Sequence, residues 1–254
     1  MICTNYEKNI GVNKYKHLYV FGCSHSLNTN SIDDTCKSYS DLLAEKLGIS
    51  TENVYNYAIN GSSNIENLYY LNCINSNLSF YHYNDDLQIK LYGDRLPREI
   101  YDDSLIIFQL TYWNRIAFQH SILKENGMHS IVPFSPHRNF SEEHPFYDTD
   151  LTTFCHIFNK KLSNEIFLQR NSILSTYYIL KGIDDKKNNI STLLLSWDKL
   201  MDDNIRKYIE PTLSNLKQTS IDKGWTCDSE LNNEDWHLSP NGNKEFSEYL
   251  HQYI

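Results

Sequence analysis

Apolar positions in this chain fall into short continuous runs that alternate with stretches of helical period. Residues 17–22, HLYVFG, form one such run ending at Gly22, which predicts a buried strand and a turn. Over 38–47, Tyr39, Leu42, Leu43 and Leu47 recur at helical spacing, with Gly48 as C-cap. Residues 54–58 predict a second strand running into Asn60-Gly61. Ser62 or Ser63 then N-caps a helix from Asn64 to about Leu78, with Ile65, Leu68, Tyr69 and Asn72 on its inner stripe. Residues 104–111, SLIIFQLT, predict a central strand covered on both faces. Further on, the pattern predicts a helix over 161–181, a strand over 190–196 and a helix over 203–218. A last short strand is expected within 220–227. A closing helix over 241–253 would turn Phe246, Tyr249 and Leu250 inward.

Two stretches lack a period. Residues 80–102 are polar and Tyr-rich, and 115–160 hold three Pro and five His. Both read as insertions into a single domain spanning 1–254, and long insertions of this kind usually serve function. The remaining order alternates strands and helices. That order predicts an α/β fold in three layers, α/β/α, around a mostly parallel central sheet with right-handed crossovers. In such sheets ligands bind beyond the carboxyl ends of the strands.

Composition narrows the function. Lys and Arg number 23 against 32 Asp and Glu, a net charge of −9, and no basic face is apparent. A partner bound through phosphate neutralisation is therefore not expected. The chain has three Ala and four Val but 28 Asn and 19 Tyr, with the Asn dispersed among apolar residues rather than gathered in a tract. No apolar stretch reaches the ~20 residues of a membrane helix, and Met1 to Lys16 contain no apolar core of a secretory signal. No Cys pair has C-x-x-C spacing, so reduced thiols in a cytoplasmic protein are expected. His129, His137, His144 and His156 match no ligand motif, so no metal and no cofactor is expected.

The residues at the predicted strand ends carry chemistry. They are Gly22-Cys23-Ser24-His25-Ser26, Asn60-Gly61-Ser62-Ser63-Asn64, Thr111-Tyr112-Trp113-Asn114-Arg115, Trp197-Asp198 and Glu234-Asp235-Trp236-His237-Leu238-Ser239-Pro240. A hydroxyl, a loop Gly, an Asn and an Asp-x-His are the types that acyl transfer uses. A Ser hydroxyl needs a base such as His to take its proton. The imidazole needs a carboxylate to fix its tautomer, and the oxyanion needs donors already in place.

In these blocks the chain resembles the SGNH hydrolases, the GDSL family. Gly22-Cys23-Ser24 stands where the family has Gly-Asp-Ser, Gly61 matches its second block, and Asp235 and His237 match the Asp and His before the last helix. The resemblance implies a flavodoxin-like SGNH hydrolase fold and a serine-dependent esterase acting on a small-molecule or glycan ester. It implies Ser24 as nucleophile, His237 as base and Asp235 as the orienting carboxylate. The oxyanion donors would be Ser24, Gly61 and Asn114. His25, Trp113 and Arg115 are candidates for the substrate pocket. The sequence departs from the family in three places. Cys23 replaces the family's Asp. Asp235 lies two residues before His237, whereas Glu234 lies at the family's usual three, so either carboxylate could orient the ring. A gapless match puts Trp113 at the third-block Asn, and a one-residue slip puts Asn114 there.

An acyltransferase on the same scaffold and a non-catalytic carbohydrate-binding relative remain open on these residues. A flavodoxin-like mononucleotide binder would want a phosphate-cradling loop after the first strand, and Gly22-Cys23-Ser24-His25-Ser26 has only one Gly.

Overall fold

The computed structural model describes residues 14–27, 32–33, 35–59, 62–78, 80–83, 89–92, 99–113, 115–118, 132–134, 153, 157, 165–231 and 235–254. In chain order its elements are β1 (His17–Phe21), α1 (Tyr39–Leu47), β2 (Val54–Asn56), α2 (Asn64–Asn75), β3 (Phe80–Tyr83), β4 (Ile89–Tyr92), β5 (Ser104–Leu110), β6 (Ile116–Phe118), β7 (Val132–Phe134), α3 (Glu165–Asp184), β8 (Ser191–Ser196), α4 (Leu216–Asp222), α5 (Cys227–Leu231) and α6 (Pro240–His251). β2, β1, β5 and β8 form one sheet in that order, and every pairing in it is parallel. The chain therefore has the expected α/β architecture.

The two-residue period of the strands sorts the core into two layers. On one face Tyr19, Phe21, Ile106, Phe108 and Leu110 meet Tyr70, Leu71 and Ile74 of α2 and Ile173, Leu180 and Ile183 of α3. On the other, Leu18, Val20, Leu105, Ile107, Leu193 and Leu195 meet Tyr39 and Leu43 of α1, Leu216 of α4 and Phe246 and Leu250 of α6. All seven residues of β5 are buried, so both of its faces are covered. Burying side chains of this size contributes about 1.5–3 kcal/mol each.

Local signals set several boundaries. Ser38 and Asp41 close a capping box at the start of α1, and Gly48 ends it in the left-handed region at φ 68°. Ser63 accepts from Glu66 N–H at the start of α2. Ser239 caps α6 and Pro240 occupies its first turn.

Three expectations are corrected. The buried side of α2 is Glu66, Asn67, Tyr70, Leu71, Cys73 and Ile74, whereas Ile65 and Asn72 face solvent. Polar residues turn inward there because they find partners: Glu66 accepts from Tyr70 OH at 2.6 Å, and Asn67 donates to Ser62 Oγ at 3.2 Å. The expected helix over 203–218 is two 3-10 turns, Asp203–Tyr208 and Pro211–Leu213, with α4 beginning only at Leu216. Pro211 has no N–H to continue the first turn and starts the next. Residues 220–227 hold no strand. α4 runs to Asp222 and α5 begins at Cys227, and between them Thr226 makes a single antiparallel bridge to Leu238. The two aperiodic stretches contain small antiparallel pairs, β3 with β4 and β6 with β7.

Among the described residues no helix is long and apolar enough to cross a membrane. Cys23, Cys36, Cys73 and Cys227 are free thiols.

Candidate active site

The loops after β1, β2, β5 and β8 converge at one end of the sheet with the segment before α6. After β1 the chain passes Gly22 and Cys23 into a 3-10 turn, Ser24–Ser26. The turn is pinned from several sides. Ser62 donates to the Gly22 carbonyl at 2.6 Å, and Asn56 Nδ2 donates to the Ser26 carbonyl at 2.9 Å. Ser26 Oγ donates to Gln109 Oε1 of β5 and accepts from Tyr39 OH of α1 at 3.0 Å. Gly22 leaves room for this network: a Cβ there would lie 2.4 Å from Ser26 Oγ and 2.9 Å from Gln109 Oε1.

The second segment, Asp235–Ser239, is fixed against the start of α5 and against Trp225 just before it. Cys227 N–H donates to the His237 carbonyl at 2.8 Å, Asp228 N–H to the Asp235 carbonyl at 2.7 Å, and Ser239 N–H to the Trp225 carbonyl at 2.8 Å. Asp235 Oδ1 lies 2.6 Å from His237 Nδ1 and also accepts the His237 backbone N–H at 3.1 Å. A carboxylate can only accept, so Nδ1 carries a ring proton, and in the neutral imidazole Nε2 holds the lone pair. That Nε2 is buried and has no hydrogen-bond partner.

The two segments meet through rings. His25 lies against His237 with centroids 4.7 Å apart and stacks on Trp197 at 3.8 Å and 17°. Tyr112 meets the edge of His25 at 6.3 Å. His25 is buried and its Nδ1 has no hydrogen-bond partner. Burial holds its imidazole well below the usual range, and the facing His237, Arg115 and Lys217 act in the same direction against Asp235.

Ser24, next to His25, is buried at 5% exposure. Its hydroxyl makes no hydrogen bond to His237, whose ring lies against that of His25. Arg115 donates from Nη1 to the Ser62 carbonyl at 3.1 Å and to Thr111 Oγ1 at 3.0 Å, and its guanidinium lies 4.8 Å from the Tyr112 ring centroid. Trp113 is 3% exposed and belongs to the core, with Nε1 directed at the Lys199 carbonyl at 3.4 Å. Gly61, Asn114 and Glu234 lie outside the described residues.

Some participants were not singled out from the sequence. Asn64 clamps the β2 and β5 loops by accepting Thr111 N–H at 2.7 Å and donating to the Thr111 carbonyl at 3.3 Å. Trp197 supplies the surface on which His25 stacks. Gln109 anchors the turn, and its signal was present: an amide inside the apolar run SLIIFQL must find a buried partner. Lys217 sits in the first turn of α4, its Nζ 5.7 Å from the Tyr112 ring and 5.5 Å from the Trp236 ring. Among the described residues no cluster of three or more His, Cys, Asp or Glu is placed to hold a metal ion.

No family model matches this chain, and no curated protein matches it. Among solved structures it is similar to a protein from Bacillus subtilis, with TM-score 0.40 and 10% identity over 94% of this chain and 56% of that one. It is also similar to a carbohydrate esterase family 2 enzyme with a carbohydrate binding domain from Corynascus thermopiles (Myceliophthora fergusii), with TM-score 0.37 and 11% identity over 93% of this chain and 64% of that one. The chain thus spans less than two thirds of either protein. What the site can do follows from its own side chains.

Proposed function

We propose that this protein is a serine-dependent ester hydrolase that removes a small acyl group from a carbohydrate or another small ester. One observation carries the reading. Asp235 holds His237 by Nδ1, and the opposite ring nitrogen is left buried and unpartnered beside the turn that bears Ser24. An imidazole held this way is a general base waiting for a proton donor.

The chemistry on this reading is acyl transfer in two halves. Ser24 Oγ passes its proton to His237 Nε2 and bonds to the ester carbonyl carbon. The resulting oxyanion accepts the Ser24 backbone N–H and, as the family resemblance implies, donors from Gly61 and Asn114. The tetrahedral species collapses, the C–O bond to the alcohol breaks, and the alcohol leaves with the proton from His237. Water then repeats the cycle on the acyl-enzyme and releases the acid. Asp235 stays ionised and stabilises the imidazolium. Catalytic hydrogen bonds are often long without substrate and tighten in the Michaelis complex, so Ser24 Oγ and His237 Nε2 pair when the ester is bound.

The test is turnover of aryl acetates by wild type, Ser24→Ala, His237→Ala and the double variant. Each single variant is expected to lose about 10³-fold or more, and the double variant no more than the worse single, because the residues act as a unit. Full activity in Ser24→Ala would end the proposal. Product analysis with sugar acceptors present separates hydrolysis, which frees the acid, from transfer on the same residues.

A further inference from the structure

Two cations converge on this site from different elements. Arg115, after β5, and Lys217, in the first turn of α4, both approach the ring of Tyr112, at 4.8 and 5.7 Å from its centroid. Lys217 also reaches across to Trp236, the residue directly before His237. Both cations act on the buried His25, so their fields reach the reaction centre. Among the described residues neither is ion-paired. Asp235 is committed to His237, and Asp198 accepts the Lys199 N–H at 3.1 Å. Burial pushes the Asp198 carboxyl up, and Lys217 only partly offsets it. Asp198 is near enough to act on Lys217 but, among the described residues, forms no ion pair with it, so two like charges drawn to one ring in a chain of net charge −9 leave a place for an anion from outside. The two rings beside them offer flat apolar surface of the kind a sugar ring or an aryl group packs against.

We propose that the esters this site takes carry a negative charge, a carboxylate, sulfate or phosphate near the scissile group. Lys217 and Arg115 are the residues that select it. The inference rests on the esterase reading and adds the substrate class. Lys217 is the cleaner of the two to alter, because Arg115 also ties the Ser62 and Thr111 loops. An added charge-assisted hydrogen bond corresponds to about tenfold in selectivity.

The experiment compares phenyl acetate, 4-acetoxybenzoate and (4-acetoxyphenyl)trimethylammonium, each rate normalised to its hydroxide-catalysed hydrolysis. Wild type is expected to favour the anionic ester over the neutral one by about tenfold in kcat/KM, and the neutral over the cationic. Added salt should compress that order without any mutation, which keeps the test independent of variant folding. Lys217→Met should flatten the order and Lys217→Glu reverse it. Equal normalised rates in wild type, or an unchanged anionic preference in Lys217→Glu, would overturn the inference. Labelling by a fluorophosphonate separates the two failures. An enzyme that labels at Ser24 but ignores substrate charge sinks this proposal alone. A protein that neither labels nor turns over any of the three esters sinks the esterase reading, and this proposal with it.

Discussion

Replacing Gly242 by Ala is expected to loosen the segment that carries Asp235 and His237 from a position outside the candidate site. Gly242 lies in the first turn of α6, and a Cβ added there would sit 1.8 Å from the Trp225 carbonyl oxygen, 2.6 Å from its carbon and 2.9 Å from its Cα. Ordinary contact begins near 3.4 Å, so the gap must open by about 1.6 Å (3.4 less 1.8). All three neighbours are backbone, so no rotamer change relieves the clash. α6 and the Trp225 segment must part. Overpacking of this kind costs about 1–3 kcal/mol. The Ser239 N–H to Trp225 carbonyl bond, 2.8 Å long, is strained with it and adds about 1 kcal/mol. Trp225 also packs on Phe246 with ring centroids 5.8 Å apart. Together the loss is about 2–4 kcal/mol, or about 4–16 °C in Tm for a chain of this size. Asn241→Ala, one residue earlier and exposed, is the control and should stay within about 0.5 kcal/mol. Thermal unfolding followed by circular dichroism measures both. A Gly242→Ala protein that melts with wild type would show that α6 does not pack on Trp225 as described, and the fixation of the Asp235–His237 segment would lose its foundation.

Asp235→Asn keeps the shape but presents an amide to Nδ1, so the ring can take the wrong tautomer. kcat for an ester is expected to fall about 10²–10⁴-fold with KM little changed, and steady-state kinetics at pH 7.5 that show less than a threefold fall contradict the role. His25 is neutral and buried when folded, with its pKa held down by burial, while the unfolded chain takes a proton near pH 6.5. Below that pH the unfolded state therefore binds more protons, and stability falls as pH drops. His25→Phe removes that dependence, so between pH 6.5 and 5 urea unfolding should show the variant losing less stability than wild type, by up to about 1.4 kcal/mol per pH unit. Parallel pH slopes for the two proteins refute it.

Much of the scaffold was legible because the strands are short apolar runs and the caps are local. Residues 17–22 and 104–111 announced β1 and β5, and Gly48 and Ser63 marked helix ends by their own side-chain or backbone preferences. What was not legible depends on tertiary partners. Glu66 and Asn67 face inward on α2 only because Tyr70 and Ser62 wait for them, and no period of hydrophobicity announces that. The failed strand at 220–227 has the same origin: Thr226 makes one isolated β-bridge, to Leu238, and helices end at Asp222 and begin at Cys227 on either side of it. In the site, the pairing of Asp235 with His237 lay in the residue order, since two positions of separation let a carboxylate reach back to its neighbour's ring. The stack of Trp197, His25 and His237 joins residues from three parts of the chain. Adjacent to Ser24 in sequence, His25 offered no sign that it would be the ring to touch His237.

Covalent capture asks whether Ser24 is a nucleophile activated by His237, the step on which the proposed esterase depends. Wild type is treated with a fluorophosphonate, digested, and read by peptide mass spectrometry. A single adduct on Ser24 is expected, formed far more slowly in His237→Ala. An adduct on another residue, or none at all in folded wild-type protein, would contradict it.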